Sequence, residues 1–343
     1  MRQIKSAARR AISLAYYAVN RRPAGLKGKV ALFMYHRVLA KKDIERNYVQ
    51  PGMYVRNDVF EQQMSYLKKN FRILRFSDLL DMWKNGVWDD SQRYCIITFD
   101  DGWLDNYRHA YPILLKYNIP ATIFLPTSLI GTDQWFWPDK LGCILRNALT
   151  MGSKSVTVLH DKWPWMRDYK KGSIDDKINS IIEHLKQLPD DEIADLVNDA
   201  SVRVGLELPD ERMFLNWQEI GEMSRHDISF GSHSSSHAIL TKLSAEKVLI
   251  EMHSSLETLR EKNLNHLPVF CYPNGNYTIE IAEQAKSVGY SAAVTTTFGV
   301  ENNSPQKLFE LKRIGIHNDI SNTIPLFAFH LSGWNNTLRE ALR

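Results

Sequence analysis

Cys95-Ile96-Ile97-Thr98-Phe99-Asp100-Asp101-Gly102 is the stretch on which the reading of the whole chain turns. Its β-branched and aromatic residues over 95–99 predict a buried strand, and Gly102 marks the end of it. The run stops in two adjacent carboxylates, which are costly to bury side by side without a cation. Downstream, His233-Ser234-Ser235-Ser236-His237 carries two imidazoles four residues apart. On one helical turn that spacing puts both rings on one face. One carboxylate and two imidazoles form a three-donor set for Zn²⁺ or a similar divalent metal, with a fourth position left to water. The other carboxylate is then free to act as a base. The pattern predicts a metal-dependent hydrolase. The plainer alternatives are an Asp pair capping a helix and two surface histidines.

Outward from this stretch, short apolar runs alternate with amphipathic ones. Strands are expected at 30–35, 95–99, 121–125, 228–232, 269–272, 291–295 and 312–316. Helices are expected between them, with Asn57, Ser77 and Ser173 as candidate caps and helices over 106–117 and 244–262. About seven strand–helix units predict parallel strands wrapped by helices, a TIM-like barrel. His36, Asp100, Asp101, His233, Pro273 and His317 each follow an expected strand directly, so the barrel gathers them on its C-terminal face. The alternation stops between about 137 and 213, which reads as a mostly helical insertion. Trp135, Trp137, Trp163 and Trp165 lie in or beside it, either packing it onto the barrel or offering flat faces to sugar rings.

The 343 residues suit one barrel with an insertion, and a net charge of +4 gives no dense basic stripe for nucleic acid. Cys95, Cys143 and Cys271 are scattered and show no CxxC, which argues against a disulfide framework or a thiolate metal site. Residues 1–28 form a basic N-terminal segment. Its apolar run, 11–19, is too short for a membrane span and lacks the pattern of a signal peptide. It reads either as a basic amphipathic helix resting on an anionic leaflet or as a solvated helix packed on the barrel. The expected location is the cytoplasm, with peripheral contact to the inner face of the membrane in the first of these readings.

Thr98-Phe99-Asp100-Asp101-Gly102 followed by His233-Ser-Ser-Ser-His237 resembles the polysaccharide deacetylase family, carbohydrate esterase family 4 or NodB-homology domain. Met34-Tyr35-His36-Arg37-Val38, Asp105-Asn106-Tyr107 through 120–125, and Trp217-Gln218-Glu219-Ile220 are similar to it as well. The resemblance covers roughly 30–135 and 214–317. It implies an α/β fold, a distorted (β/α)7-type barrel over 29–343, and metal-dependent removal of acetyl groups from sugars. By position it implies Asp100 as general base and Asp101, His233 and His237 as metal ligands. The Phe270-Cys271-Tyr272-Pro273-Asn274-Gly275 run falls at the family's third motif, where the Asn274 N–H would help hold an oxyanion beside Tyr272. His317 falls where the family keeps its catalytic acid, and His36 is either an active-site or a structural residue. The family often places in the third motif an Arg that orients the base. Here that place holds Cys271, and Arg313 is the residue expected to reach in instead.

The metal expected is Zn²⁺, with Co²⁺, Ni²⁺ and Fe²⁺ also compatible with these donors. The expected partner is an acetylated saccharide, N-acetylated and part of a surface polysaccharide or its lipid-linked precursor. The competing functions are an O-acetyl esterase or deformylase on a saccharide, and a carbohydrate-binding barrel without turnover.

Overall fold

Seven apolar runs form the parallel strands of a closed barrel in the computed structural model, which describes residues 2–20, 23, 25–46, 48–151, 153–169, 172–206 and 211–333. They are β1 (Val30–Tyr35), β2 (Tyr94–Phe99), β3 (Ala121–Leu125), β4 (Ile228–Ser232), β5 (His266–Cys271), β6 (Ala292–Phe298) and β7 (Leu311–Gly315). Pairing runs β1-β7-β6-β5-β4-β3-β2, and β2 closes back onto β1. The wall is split at one place. The two-residue strand Arg72–Ile73 pairs with Tyr94 and Cys95 at the start of β2, whereas β3 pairs with Thr98 and Phe99 at its end.

Register brings the chemistry together. Tyr35 pairs with Phe99, so His36 and Asp100 leave the barrel at one level. Leu125 pairs with Ser232, which puts His233 on the same rim. β2 is buried at every position, as a parallel strand covered on both faces must be. Alternate residues still divide between two layers. Leu32, Ile96, Phe124, Val269, Val294 and Leu311 share the barrel interior. Phe270, Tyr272 and Ala293 pack outward with Val248, Met252 and Leu256 of the helix Ala245–Glu261. Thr98 and Asp100 have the parity of Ile96, and Arg313 that of Leu311, so all three face inward.

The helices between strands begin where polar side chains satisfy their free N–H groups. Asn216 and Glu219 form a reciprocal capping box on Trp217–Ser224, and Ser244 caps Ala245–Glu261. Such caps contribute about 1 kcal/mol each. The caps expected at Asn57 and Ser77 differ. The helices Asn57–Asn70 and Phe76–Asn85 take Arg56 and Arg75 at the cap, with no side-chain cap bond. The expected 106–117 helix is a π turn, Asn106–Ala110, continued by the α-helix Tyr111–Tyr117. Pro112 explains the break, because it has no N–H for a carbonyl one turn back and its ring crowds that carbonyl.

The described chain divides into two compact units: 1–39, 55–132 and 214–343 hold the barrel, while 40–54 join 133–213 in the second. That second unit is helical and has its own apolar core. Ile178, Ile181, Ile182 and Leu185 line one face of the helix Ile174–Leu185, whose Ser173 cap forms a capping box with Asp176. The expected insertion omitted 40–54. Tyr48 explains their membership: its ring lies against Gly142, where an added Cβ would come within 2.0 Å. Trp163 is buried in this core, with Trp137 and Trp165 packed against it.

Candidate active site

Asp100 and Asp101 are neighbours held in different ways. The Asp100 N–H donates to the Tyr35 carbonyl at 3.0 Å, which extends the β1–β2 pairing by one residue. Asp101 then turns into the left-handed region at φ +75°, where side chains are disfavoured. Gly102 follows at φ +64°, and a Cβ there would lie 2.8 Å from the Leu125 side chain. This tight turn separates the two carboxylates.

Inside the barrel, Arg313 forks onto Asp100. Nη1 donates to Oδ1 and Nη2 to Oδ2, both at 2.7 Å. The guanidinium is itself fixed by the Thr295 carbonyl at 2.9 Å, Thr98 Oγ1 at 3.2 Å and Cys271 Sγ at 3.3 Å. It is fully buried. Burial alone would raise the Asp100 pKa. The Arg313 charge and its two hydrogen bonds override that and bring it below the ordinary carboxylate value. Asp100 is therefore held ionised, with its lone pairs aligned by a rigid planar partner. His36 Nε2 lies 3.9 Å from Asp100 Oδ2, and burial is the main reason its pKa is lowered.

Asp101 faces the imidazoles. Its Oδ1 lies 3.3 Å from His233 Nε2 and 3.2 Å from His237 Nε2. Its Oδ2 accepts a hydrogen bond from Trp103 Nε1 at 2.9 Å. Trp103 is held between the Arg37 guanidinium, 4.4 Å from its ring centroid, and the stacked ring of Phe214. Arg37 in turn donates to Asp105 Oδ2 at 2.8 Å. Burial would raise the Asp101 pKa, but the hydrogen bonds from His233 and His237 hold it well below the ordinary value.

The two histidines do not share a helical turn, which corrects the reading of their spacing. Residues 233–237 form a loop with Ser234 at φ +60° and His237 at φ +64°. The physical reason is external anchoring. Glu251 accepts from the Ser235 and Ser236 N–H groups at 2.9 and 2.8 Å and from Ser236 Oγ at 2.7 Å. On the other side, the Ser128 N–H and hydroxyl both donate to the Ser235 carbonyl. The loop still brings the rings to 4.8 Å between centroids. His233 Nδ1 lies 2.8 Å from the Cys271 carbonyl. A carbonyl has no proton to give, so Nδ1 is the donor and Nε2 carries the lone pair in the neutral ring.

The donor set fits a divalent metal. Donors about 2.1 Å from a tetrahedral ion sit roughly 3.4 Å from one another, close to the 3.2 and 3.3 Å between Asp101 and the two imidazoles. Among the described residues, Asp100, His233 and Cys271 form a second group with converging donor atoms. It is the poorer host. Both Asp100 oxygens already accept from a cation, and burial raises the Cys271 pKa, which keeps the thiol protonated.

The remaining expected residues have other surroundings. His317 Nδ1 lies 3.5 Å from Asp319 Oδ2. Asn274 sits exposed at φ +57° in the turn after β5. Its neighbour Gly275 must be glycine, since a Cβ there would fall 2.0 Å from Thr296 Oγ1. The side chain of Tyr272, expected beside the oxyanion, faces the outer layer. It donates to the Phe309 carbonyl and stacks on Tyr277, because its parity is that of Phe270.

The family model for polysaccharide deacetylases matches residues 89–293, which span both halves of this cluster. The chain belongs to the polysaccharide deacetylase family. YxkH of Bacillus subtilis (strain 168), whose name assigns it to the polysaccharide deacetylases, is 23% identical over 289 residues, 84% of this chain and 71% of that one. A poly-beta-1,6-N-acetyl-D-glucosamine N-deacetylase of Staphylococcus aureus is 33% identical over 110 residues, 29% of this chain and 37% of that one. The barrel fold is shared with the deacetylase PplD of Streptococcus pyogenes, solved with acetate: TM-score 0.55, 21% identity, 86% of this chain and 95% of that one. IcaB from Ammonifex degensii gives a TM-score of 0.56 at 18% identity, covering 89% of this chain and 97% of that one.

Two parts of this site had no signal in the sequence reading: Trp103 bonds a candidate ligand and Glu251 anchors the histidine loop. Arg37 and Asp105, which support Trp103, lie in runs similar to the family but carry no assigned role there. Trp103 lies one residue past the motif, where adjacency was the only available hint. Glu251 looks like any exposed position of an amphipathic helix.

Proposed function

We propose that this chain is a metal-dependent deacetylase acting on N-acetylated amino sugars of a surface polysaccharide or its precursor. One observation carries the reading. An ionised carboxylate clamped by a buried arginine stands next in sequence to a carboxylate that shares two imidazoles. Asp101, His233 and His237 would hold the metal. When bound, such an ion polarises an acyl carbonyl and makes water acidic enough to react near neutral pH.

Asp100 accepts the proton of the attacking water. Arg313 keeps Asp100 ionised and fixes the direction of its lone pairs. Trp103 occupies the second oxygen of Asp101, so that Oδ1 alone faces the imidazoles. The Cys271 carbonyl holds His233 in the tautomer with a free Nε2. His317 is the proposed proton donor to the departing amine and Asn274 N–H the proposed oxyanion donor, both by their position after β7 and β5. The N-acetyl substrate class is supported by the staphylococcal relative.

The test is acetate release from matched N-acetylated and O-acetylated oligosaccharides, with formate release from formylated sugars as a third arm, using protein loaded with one equivalent of Zn²⁺. The expected result is acetate and a free amine from the N-acetyl series. Release confined to the O-acetyl or formyl series would replace the N-deacetylase reading. Binding without release in every arm would leave a carbohydrate-binding barrel.

A further inference from the structure

The N-terminal helix, Arg2–Val19, has two apolar faces, and only one of them packs on the barrel unit. On the packed face Ser13 is buried, Tyr16 meets Phe329 edge-on with centroids 5.5 Å apart, and Tyr17 lies 6.4 Å from Tyr66. Arg9 donates to the Asp319 carbonyl, which brings this part of the helix beside the segment that follows β7. The other face points to solvent. Ala8, Ile12, Ala15 and Val19 recur at helical spacing as one exposed stripe. Ile12 is 45% exposed and Val19 83%. No charged residue interrupts the stripe.

The charge around it is of one sign. Arg2, Lys5, Arg9, Arg10, Arg21 and Arg22 fall in the first 22 residues, and no acidic residue occurs before Asp43. The whole chain carries +4, so the first 22 residues, at +6, hold a positive excess that the rest of the chain, at −2, does not share. An exposed apolar stripe with basic residues and no acidic ones is complementary to one kind of surface: apolar below and anionic at its boundary. A water-facing helix needs no such stripe, and a helix held only by its neighbours would carry charges on its outer side. We infer that the exposed face of Arg2–Val19 docks on an anionic lipid bilayer, with Ile12 and Val19 entering the headgroup–acyl boundary and the basic residues pairing with lipid phosphates. No helix of the described residues is long and apolar enough to cross the membrane, so the contact is peripheral.

The inference does not depend on the chemistry of the site. It is tested with the full chain in vesicle co-sedimentation, comparing phosphatidylcholine vesicles with otherwise identical vesicles in which about a third of the lipid is anionic phosphatidylglycerol. The expected result is binding at least about tenfold tighter to the anionic vesicles, weakening as salt rises. The double variant Ile12→Glu/Val19→Glu is expected to lose about tenfold or more in vesicle affinity while keeping the unfolding midpoint of the native protein. Arg10→Glu, on the exposed side, is expected to lower binding to anionic vesicles only. Equal binding to both vesicle types, or undiminished binding by the double variant, overturns the inference. A dimer in sedimentation velocity that the double variant dissociates would show the stripe covered by a second copy instead.

Discussion

Asp100 and Asp101 are one peptide bond apart and are held by opposite strategies. Asp100 stays on the strand ladder, faces the barrel interior and is gripped by one buried arginine that uses every donor it has. Asp101 leaves the ladder through a left-handed turn and meets two loop-borne imidazoles, with a tryptophan on its spare oxygen. The first arrangement is rigid and already neutralised. The second brings three donor atoms to a spacing that suits a divalent cation. One short motif thus sends two adjacent carboxylates to different partners, because the positive-φ turn at Asp101 and Gly102 carries the second away from the first.

This contrast can be broken from either side. The largest effect is expected at the cradle. Asp101→Ala and His233→Ala should each weaken Zn²⁺ binding by more than about 100-fold in competition with a chelating dye, since removing a ligand exceeds the 10–100-fold cost of losing a supporting residue. Arg313→Met should strike the other side. It leaves a buried carboxylate without its counter-charge, costing about 3–5 kcal/mol in denaturant unfolding. It should also move the acid limb of the pH–rate profile upward, because burial then raises Asp100 unopposed.

The sign for the native protein follows from the same pair. Asp100 has a folded pKa below its unfolded one, near 3.9. Its stabilising contribution is therefore full above that unfolded value and is lost as pH falls through the folded one. His233 runs the other way. Burial lowers its pKa, but its hydrogen bonds to Asp101 and Cys271 and the nearby Asp100 charge outweigh that and raise it well above the ordinary value in the metal-free site. Its pairing stabilises the metal-free fold fully below the unfolded pKa, near 6.5, and is lost as pH rises through the folded value. Protons and metal consequently compete. Zn²⁺ binding should release a proton and weaken as pH drops, which calorimetry in buffers of different ionisation enthalpy would detect.

A smaller effect is expected at Trp103→Phe, which keeps the packing on Phe214 but removes the bond to Asp101 Oδ2. Metal affinity should fall about tenfold with little change in unfolding midpoint. An unchanged affinity would show that the turn at Asp101 alone orients the ligand.

Much of the barrel was legible in the sequence, because each of its seven strands is an apolar run ended by a turn or a polar residue. Which side of a strand a residue faces was not legible. A parallel strand buried on both sides carries no polar alternation, so nothing local tells that Cys271 faces the barrel interior and Tyr272 the outer layer. The motifs gave candidates for the donor residues, but not the backbone that presents them. A four-residue histidine spacing suits a helical turn, but bonds to Glu251 and Ser128, both outside the segment, help hold it as a loop. The membership of 40–54 in the helical unit rests on Tyr48 against Gly142, a contact between segments about 90 residues apart with no local pattern to announce it.

The division of labour between the two adjacent carboxylates is tested most directly by Asp100→Asn, with bound Zn²⁺ and acetate release measured on the same dialysed sample. The expected result is one equivalent of Zn²⁺, as in the native protein, with acetate release reduced by about 10²–10⁴-fold. Undiminished acetate release from the metal-loaded variant, or loss of the metal together with activity, would contradict it.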